Sequence, residues 1–84
     1  MNIIIEPNAK KELKKLPKNE ISNILKKLFS IKENPLEHLE RLKGLKLWKL
    51  RVGEYRCIIY ADTGKENLHV LKIGHRKNIY KRLR

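Results

Sequence analysis

The chain changes its period halfway along. Up to about residue 33 the apolar positions recur every three or four residues; from residue 46 they alternate. A β-branched run, Ile3-Ile4-Ile5, predicts a strand over 2–5. Pro7 then stands where a first helical turn tolerates proline. Ala9, Leu13 and Leu16 share one face of a helix predicted over 9–16, which Pro17 interrupts. A second helix is predicted over 19–33, where Ile21, Ile24, Leu25, Leu28 and Ile31 keep the spacing of a buried stripe. Lys26, Lys27 and Lys32 fall on its opposite side and read as solvated lysines without chemistry. Asn34-Pro35 closes that helix. Residues 36–44 read as a connector with a helical turn.

In the second half, Trp48, Leu50 and Val52 point one way from a strand over 46–52, while Leu47, Lys49 and Arg51 point the other. Gly53-Glu54 is a two-residue turn into a strand over 55–62. Residues 63–67 have turn chemistry, and a third long strand runs over 68–74. Links this short imply an antiparallel meander. The tail, 75–84, holds five cations and no acid and is compatible with a helix. Both helices must cover one sheet face to bury their stripes. The fold class is therefore α+β: a two-layer sandwich with an N-terminal strand, a helical hairpin, a three-stranded antiparallel meander and a basic C-terminal tail. Tyr55, Cys57, Ile59 and Ala61 should face the helices with Trp48, Leu50 and Val52. Lys49, Arg51 and Arg56 should face outwards beside Ile58 and Tyr60, and Cys57 reads as a small core residue.

Eighty-four residues, 40% of them apolar, suit one domain over 1–84 with a modest core. Charge changes the picture more. Twenty-one Lys and Arg against nine Asp and Glu give a formal +12. That excess opposes compaction and favours encounter with polyanions, of which nucleic acid is the commonest. One cysteine excludes an internal disulfide, and the scattered His38, His69 and His75 do not have the spacing of metal ligands, so no cofactor is expected. No apolar run suits a signal peptide or a membrane span, which points to a cytoplasmic protein with no membrane partner.

Three cations on one sheet face are a sharper signal than total charge. Lys49, Arg51 and Arg56 come from neighbouring strands joined by a tight turn, so their side chains should converge. Arg76 follows the last strand, and Tyr80 comes four residues later, on the same face if the tail turns helically. Cations beside a phenol suit phosphate neutralisation and base stacking. A solvated sheet face would look similar.

The run W-K-L-R-V-G-E-Y-R-C-I-I-Y from Trp48 to Tyr60, and I-G-H-R-K-N-I-Y from Ile73 to Tyr80, resemble the RelE/ParE toxin superfamily. The preceding helical hairpin fits that family's order of elements. G-H-R-x-x-x-Y after the last strand is more specific for RelE-type messenger RNA interferases. The resemblance implies a type II toxin that cleaves mRNA in the ribosomal A site and is neutralised by a RelB-like antitoxin, with a toxin–antitoxin heterotetramer as one assembly. It puts catalytic roles on Lys49, Arg56, Arg76 and Tyr80, and RNA binding on Lys46, Arg51, Lys77, Lys81 and Arg82. Leu47 stands where some members carry a further lysine.

The implied reaction is attack of a ribose 2′-OH on the adjacent phosphate. Arg56 and Arg76 do not readily give up protons, so their role is to clamp anionic oxygens. Tyr80 is the candidate general base, because surrounding cations favour its phenolate. Lys49 assists proton transfer or holds the phosphate, and Arg76 remains open as the acid for the leaving oxygen. His75 is a competing base, read rather as a strand-end histidine bonded to backbone. Two other readings stand beside this one: a ParE-like toxin that inhibits gyrase without nuclease activity, and a non-catalytic basic RNA-binding protein.

Overall fold

A computed structural model of the protein describes residues 1–42 and 46–79. The order is β1 (Asn2–Ile5), α1 (Pro7–Lys14), α2 (Lys18–Ser30), a 3-10 turn (Pro35–Glu37), β2 (Glu40–Arg41), β3 (Trp48–Val52), β4 (Tyr55–Asp62) and β5 (Asn67–His75). The helical hairpin is built from prolines at both of its corners. Pro7 occupies the first turn of α1, where its missing N–H costs nothing. Pro17 ends the approach and starts α2, its carbonyl accepting the Glu20 and Ile21 N–H groups at 3.0 Å each.

Five strands form one sheet in the order β1-β5-β4-β3-β2. The meander β3-β4-β5 is antiparallel, as the short links require. β1 joins it on the far side of β5 and runs parallel to it, Asn2 facing Asn67 and Ile5 facing Val70. At the other edge, β2 pairs Glu40 with Lys49 and Arg41 with Trp48, and the Arg41 guanidinium lies 5.2 Å from the Trp48 ring centre. The connector expected over 36–44 thus holds a helical turn and also a two-residue strand. Nothing in its own apolar pattern announces that strand, because both of its residues are charged and exposed.

The helices cover one face, α1 over β5 and α2 over β3. Ala9, Leu13, Ile24, Leu28 and Ile31 meet Leu50, Cys57, Ile59, Leu68, Val70 and Ile73 in one core, with Trp48, Val52, Tyr55 and Ala61 packed around it. The faces assigned from alternation are therefore the observed ones. A bulge between Ile58 and Ile59 keeps both Val70 and Ile73 of β5 facing inwards. Where β1 has ended, the Glu12 carboxylate of α1 accepts the Ile73 N–H at 3.1 Å.

The outer face is drier than alternation implies. Ile58 shares it with Lys49, its partner across β3 and β4, yet Ile58 is fully buried. After β5 the chain turns back, with the Asn78 N–H donating to the His75 carbonyl at 2.9 Å, and brings Ile79 down onto Gly74. Ile79 is buried there, outside the main core. Over 76–78 the described tail is a turn rather than a helix; the expectation for 80–84 lies outside the described residues.

Leu28 is fully enclosed between the layers. Leu28→Ala should cost about 2–5 kcal/mol, read as a lower midpoint in urea denaturation. Burial also pushes the Cys57 thiol up from 9.0 to about 12. The native state then holds this proton more tightly than the unfolded chain does. That contribution is constant below about pH 9 and is lost as the pH rises towards 12. Titration with a thiol reagent at pH 8 should leave Cys57 unmodified in the native protein and label it fully in denaturant.

Candidate functional site: a cationic depression beside a hairpin turn

The β3-β4 hairpin closes through Gly53 and Glu54, with Val52 facing Tyr55. Gly53 has φ +59°, a conformation that glycine adopts without strain and that the tight turn needs at its first central position. Two arginines hold on to this turn. Arg56 is 8% exposed, and its Nη1 donates to the carbonyls of Gly53 and Tyr55, both at 2.8 Å. Arg76 arrives from the turn that follows β5. Its backbone N–H donates to the Glu54 carbonyl at 2.8 Å, and its Nε lies 2.6 Å from Glu54 Oε2.

Lys49, Arg56, Arg76 and Lys77 line one shallow depression of about 370 Å³ on the outer sheet face. Strand register explains the grouping. Arg56 faces Gly74 on β5, and Lys49 stands opposite Ile58, two pairs further along β3 and β4 and so on the same face. Gly74 is the close-approach position: a Cβ there would come within 3.1 Å of Ile79 Cδ1. Its hydrogen lets the turn after β5 lie down on the sheet, carrying Arg76 and Lys77 to the rim.

Carboxylates sit against two of these cations. Lys49 Nζ is 3.4 Å from Glu40 Oε2, and Arg76 is tied to Glu54 as described. Both glutamates are largely exposed, and pairs of this kind contribute about 0–1 kcal/mol. They orient the cations without locking them, so an anion can displace either carboxylate. The depression therefore offers one firmly anchored guanidinium, at Arg56, and two movable cations, at Lys49 and Arg76. That set can grip a phosphate from several sides. Among the described residues no group of His, Cys, Asp and Glu gathers as metal ligands would.

The structure divides the residues singled out from sequence. Lys49, Arg56, Arg76 and Lys77 come together. Arg51 does not join them, although it pairs with Arg56 across the hairpin; it lines a separate groove with Lys26 and Lys27 of α2. Lys46 is exposed, before β3 begins at Trp48. Tyr80, Lys81 and Arg82 lie outside the described residues. His75 accepts the Lys77 N–H on Nδ1 at 3.2 Å and sets its ring edge-on to Tyr55, an arrangement that serves the turn. Sequence reasoning missed Glu40 and Glu54. Glu54 sits inside the V-G-E-Y turn and was in plain view; Glu40 was hidden in a connector without periodicity.

Comparison with known proteins finds the same fold elsewhere. A RelBE toxin–antitoxin complex of Mycobacterium tuberculosis contains a chain with a TM-score of 0.81 at 22% identity, covering 89% of this chain and 96% of that one. The intact Escherichia coli RelBE complex matches with a TM-score of 0.74 at 25% identity, over 88% and 94% of the two chains. A YoeB dimer from Staphylococcus aureus matches with a TM-score of 0.72 at 22% identity, over 90% and 97%. Comparison with curated protein sequences returns no match. The fold is that of the RelE/ParE toxin superfamily. Residues 3–80 match the ParE toxin of type II toxin–antitoxin systems, parDE, and the chain belongs to this family.

Glu54→Gln removes the carboxylate beside Arg76 while keeping the turn. Stability should change by less than about 1 kcal/mol. Affinity for a fluorescently labelled polyphosphate should rise, measured by fluorescence anisotropy at low salt.

Proposed function

We propose that this toxin is a RelE-type endoribonuclease that cuts messenger RNA on the ribosome. The observation that carries the reading is the meeting of Lys49, Arg56 and Arg76 at one depression, from the two strands of one hairpin and from the turn after β5. In the proposed reaction the ribose O2′ forms a bond to the adjacent phosphorus, the P–O5′ bond breaks, and the leaving O5′ takes up a proton. Arg56, fixed by two carbonyls, stabilises charge on the non-bridging oxygens without reorganising. Arg76 exchanges Glu54 for the phosphate and clamps it from the other side. Lys49 exchanges Glu40 in the same way. Tyr80, next in the chain after Ile79, is the proposed base that takes the 2′-OH proton, and Lys49 or Arg76 is the proposed donor of the proton to the leaving O5′.

The depression is open and shallow, so it does little to align a flexible substrate. In-line orientation is worth several kcal/mol, and the ribosomal A site would supply it. The protein should therefore be nearly inactive on free RNA. We further propose a cytoplasmic toxin restrained by an acidic, RelB-like antitoxin that covers the basic face, in a heterotetramer of the two chains. Two of the chains compared above come from RelBE toxin–antitoxin complexes. The family matched by sequence is ParE, which favours one second reading, a gyrase-directed toxin with no nuclease step.

One experiment separates them. The toxin is induced in cells, and a translated message is mapped by primer extension while gyrase-dependent DNA breaks are scored. The expected result is message cleavage without DNA breaks. Arg76→Ala and Tyr80→Phe should each lower cleavage by about 10²–10³. DNA breaks with intact message would establish the gyrase reading instead. Toxicity undiminished in both variants would remove the proposed site.

A further inference from the structure

A second cationic surface lies around the sheet's edge from the depression. Asn23, Lys26, Lys27 and Ser30 are spaced i, i+3, i+4 and i+7, so they form one ridge of α2, beside the buried stripe of Ile24, Leu28 and Ile31. This ridge and the end of β3 enclose an open groove of about 450 Å³, lined also by Arg51, Val52 and Gly53. Because β2 pairs only with Trp48 and Lys49, Arg51 and Val52 form the rim of the sheet among the described residues.

The two surfaces differ in their acids. At the depression, Glu40 and Glu54 accompany the cations. The groove has three cations, an amide and a hydroxyl among its lining and no carboxylate. Among the described residues, Lys26, Lys27 and Arg51 form no ion pair. Lys, Arg, Asn and Ser are the side chains that contact phosphate oxygens and sugars in nucleic-acid complexes. The groove lacks an aromatic side chain on which a base would stack. It also lacks the row of apolar pockets that an extended peptide fills with alternate side chains; Val52 is its one apolar residue.

We infer that this groove grips the sugar–phosphate backbone of a structured RNA, independently of sequence, as a second contact separate from the strand that is cut. The inference rests on the RNA-directed reading above. A strand lying in the depression would have to turn around the Gly53-Glu54 hairpin to reach the groove, so the two sites suit two RNA segments held at once. The groove then supplies docking and the depression supplies chemistry. A free single strand can fill only one of them.

The test uses the full chain, a fluorescent RNA hairpin and bacterial ribosomes, with binding measured across a potassium chloride series. Lys26→Gln, Lys27→Gln and Arg51→Gln are combined, beside a control with Lys10→Gln, Lys11→Gln and Lys65→Gln, which removes the same charge elsewhere. Thermal melting checks that both variants fold. The groove variant should lose at least about tenfold in affinity near 0.15 M salt, and the slope of log affinity against log salt should shrink by about 2–3. The control should change much less. Cleavage at saturating ribosomes should fall far less than it does in Arg76→Ala, because Lys49, Arg56 and Arg76 remain. An unchanged slope in the groove variant overturns the inference. So does an unchanged slope with lost antitoxin affinity, which assigns the groove to an acidic protein segment. Wild type that binds RNA with this slope but never cleaves would end the nuclease reading and leave the groove standing.

Discussion

A single backbone turn holds the cationic depression of this molecule together. The Gly53 carbonyl fixes Arg56, and the Glu54 carbonyl and carboxylate fix Arg76. One arginine belongs to β4 and the other comes after β5, so two separate stretches of chain take their position from the same two residues. The turn can do this because glycine supplies a positive φ and leaves its carbonyl pointing at a neighbour's guanidinium. A β-branched residue at 53 would strain the turn and move both arginines together.

The rest of the fold presents that turn. The core lies wholly on the helix side of the sheet, where Leu28, Ile31, Leu50 and Ile59 exclude water. The other face is left for function, but only part of it is wet. Ile58 and Ile79 bury themselves beneath the returning chain, and Gly74 makes room for that return. The depression itself is lined by Lys49, Arg56, Arg76 and Lys77, beside that covered patch. Glu40 and Glu54 moderate the mutual repulsion of the cations until an anion arrives.

The fold was legible wherever a period was strong. The stripe from Ile21 to Ile31 and the alternation from Trp48 to Val52 placed the helices, the strands and their faces, and the assignment of Cys57 to the core follows from the same alternation. β2 was not legible, since a charged pair of residues carries no periodic signal and its pairing comes from tertiary contact with β3. Alternation also assigned Arg51 to the depression. It gives a face but not a position along an edge, and at the rim of the sheet Arg51 borders α2 instead. The grouping of Lys49, Arg56 and Arg76 was readable from strand order and a tight turn. The glutamates beside them were not, because ion pairs depend on side-chain reach that no spacing rule encodes.

The parallel pairing of β1 with β5 has a consequence for synthesis. Asn2 finds its partner only when Asn67 has been made, so the first strand waits for 65 further residues. Contacts this distant in sequence slow folding, and Arg76 emerges later still. A nascent chain therefore cannot assemble the cationic depression until the turn after β5 has been made and β5 has paired.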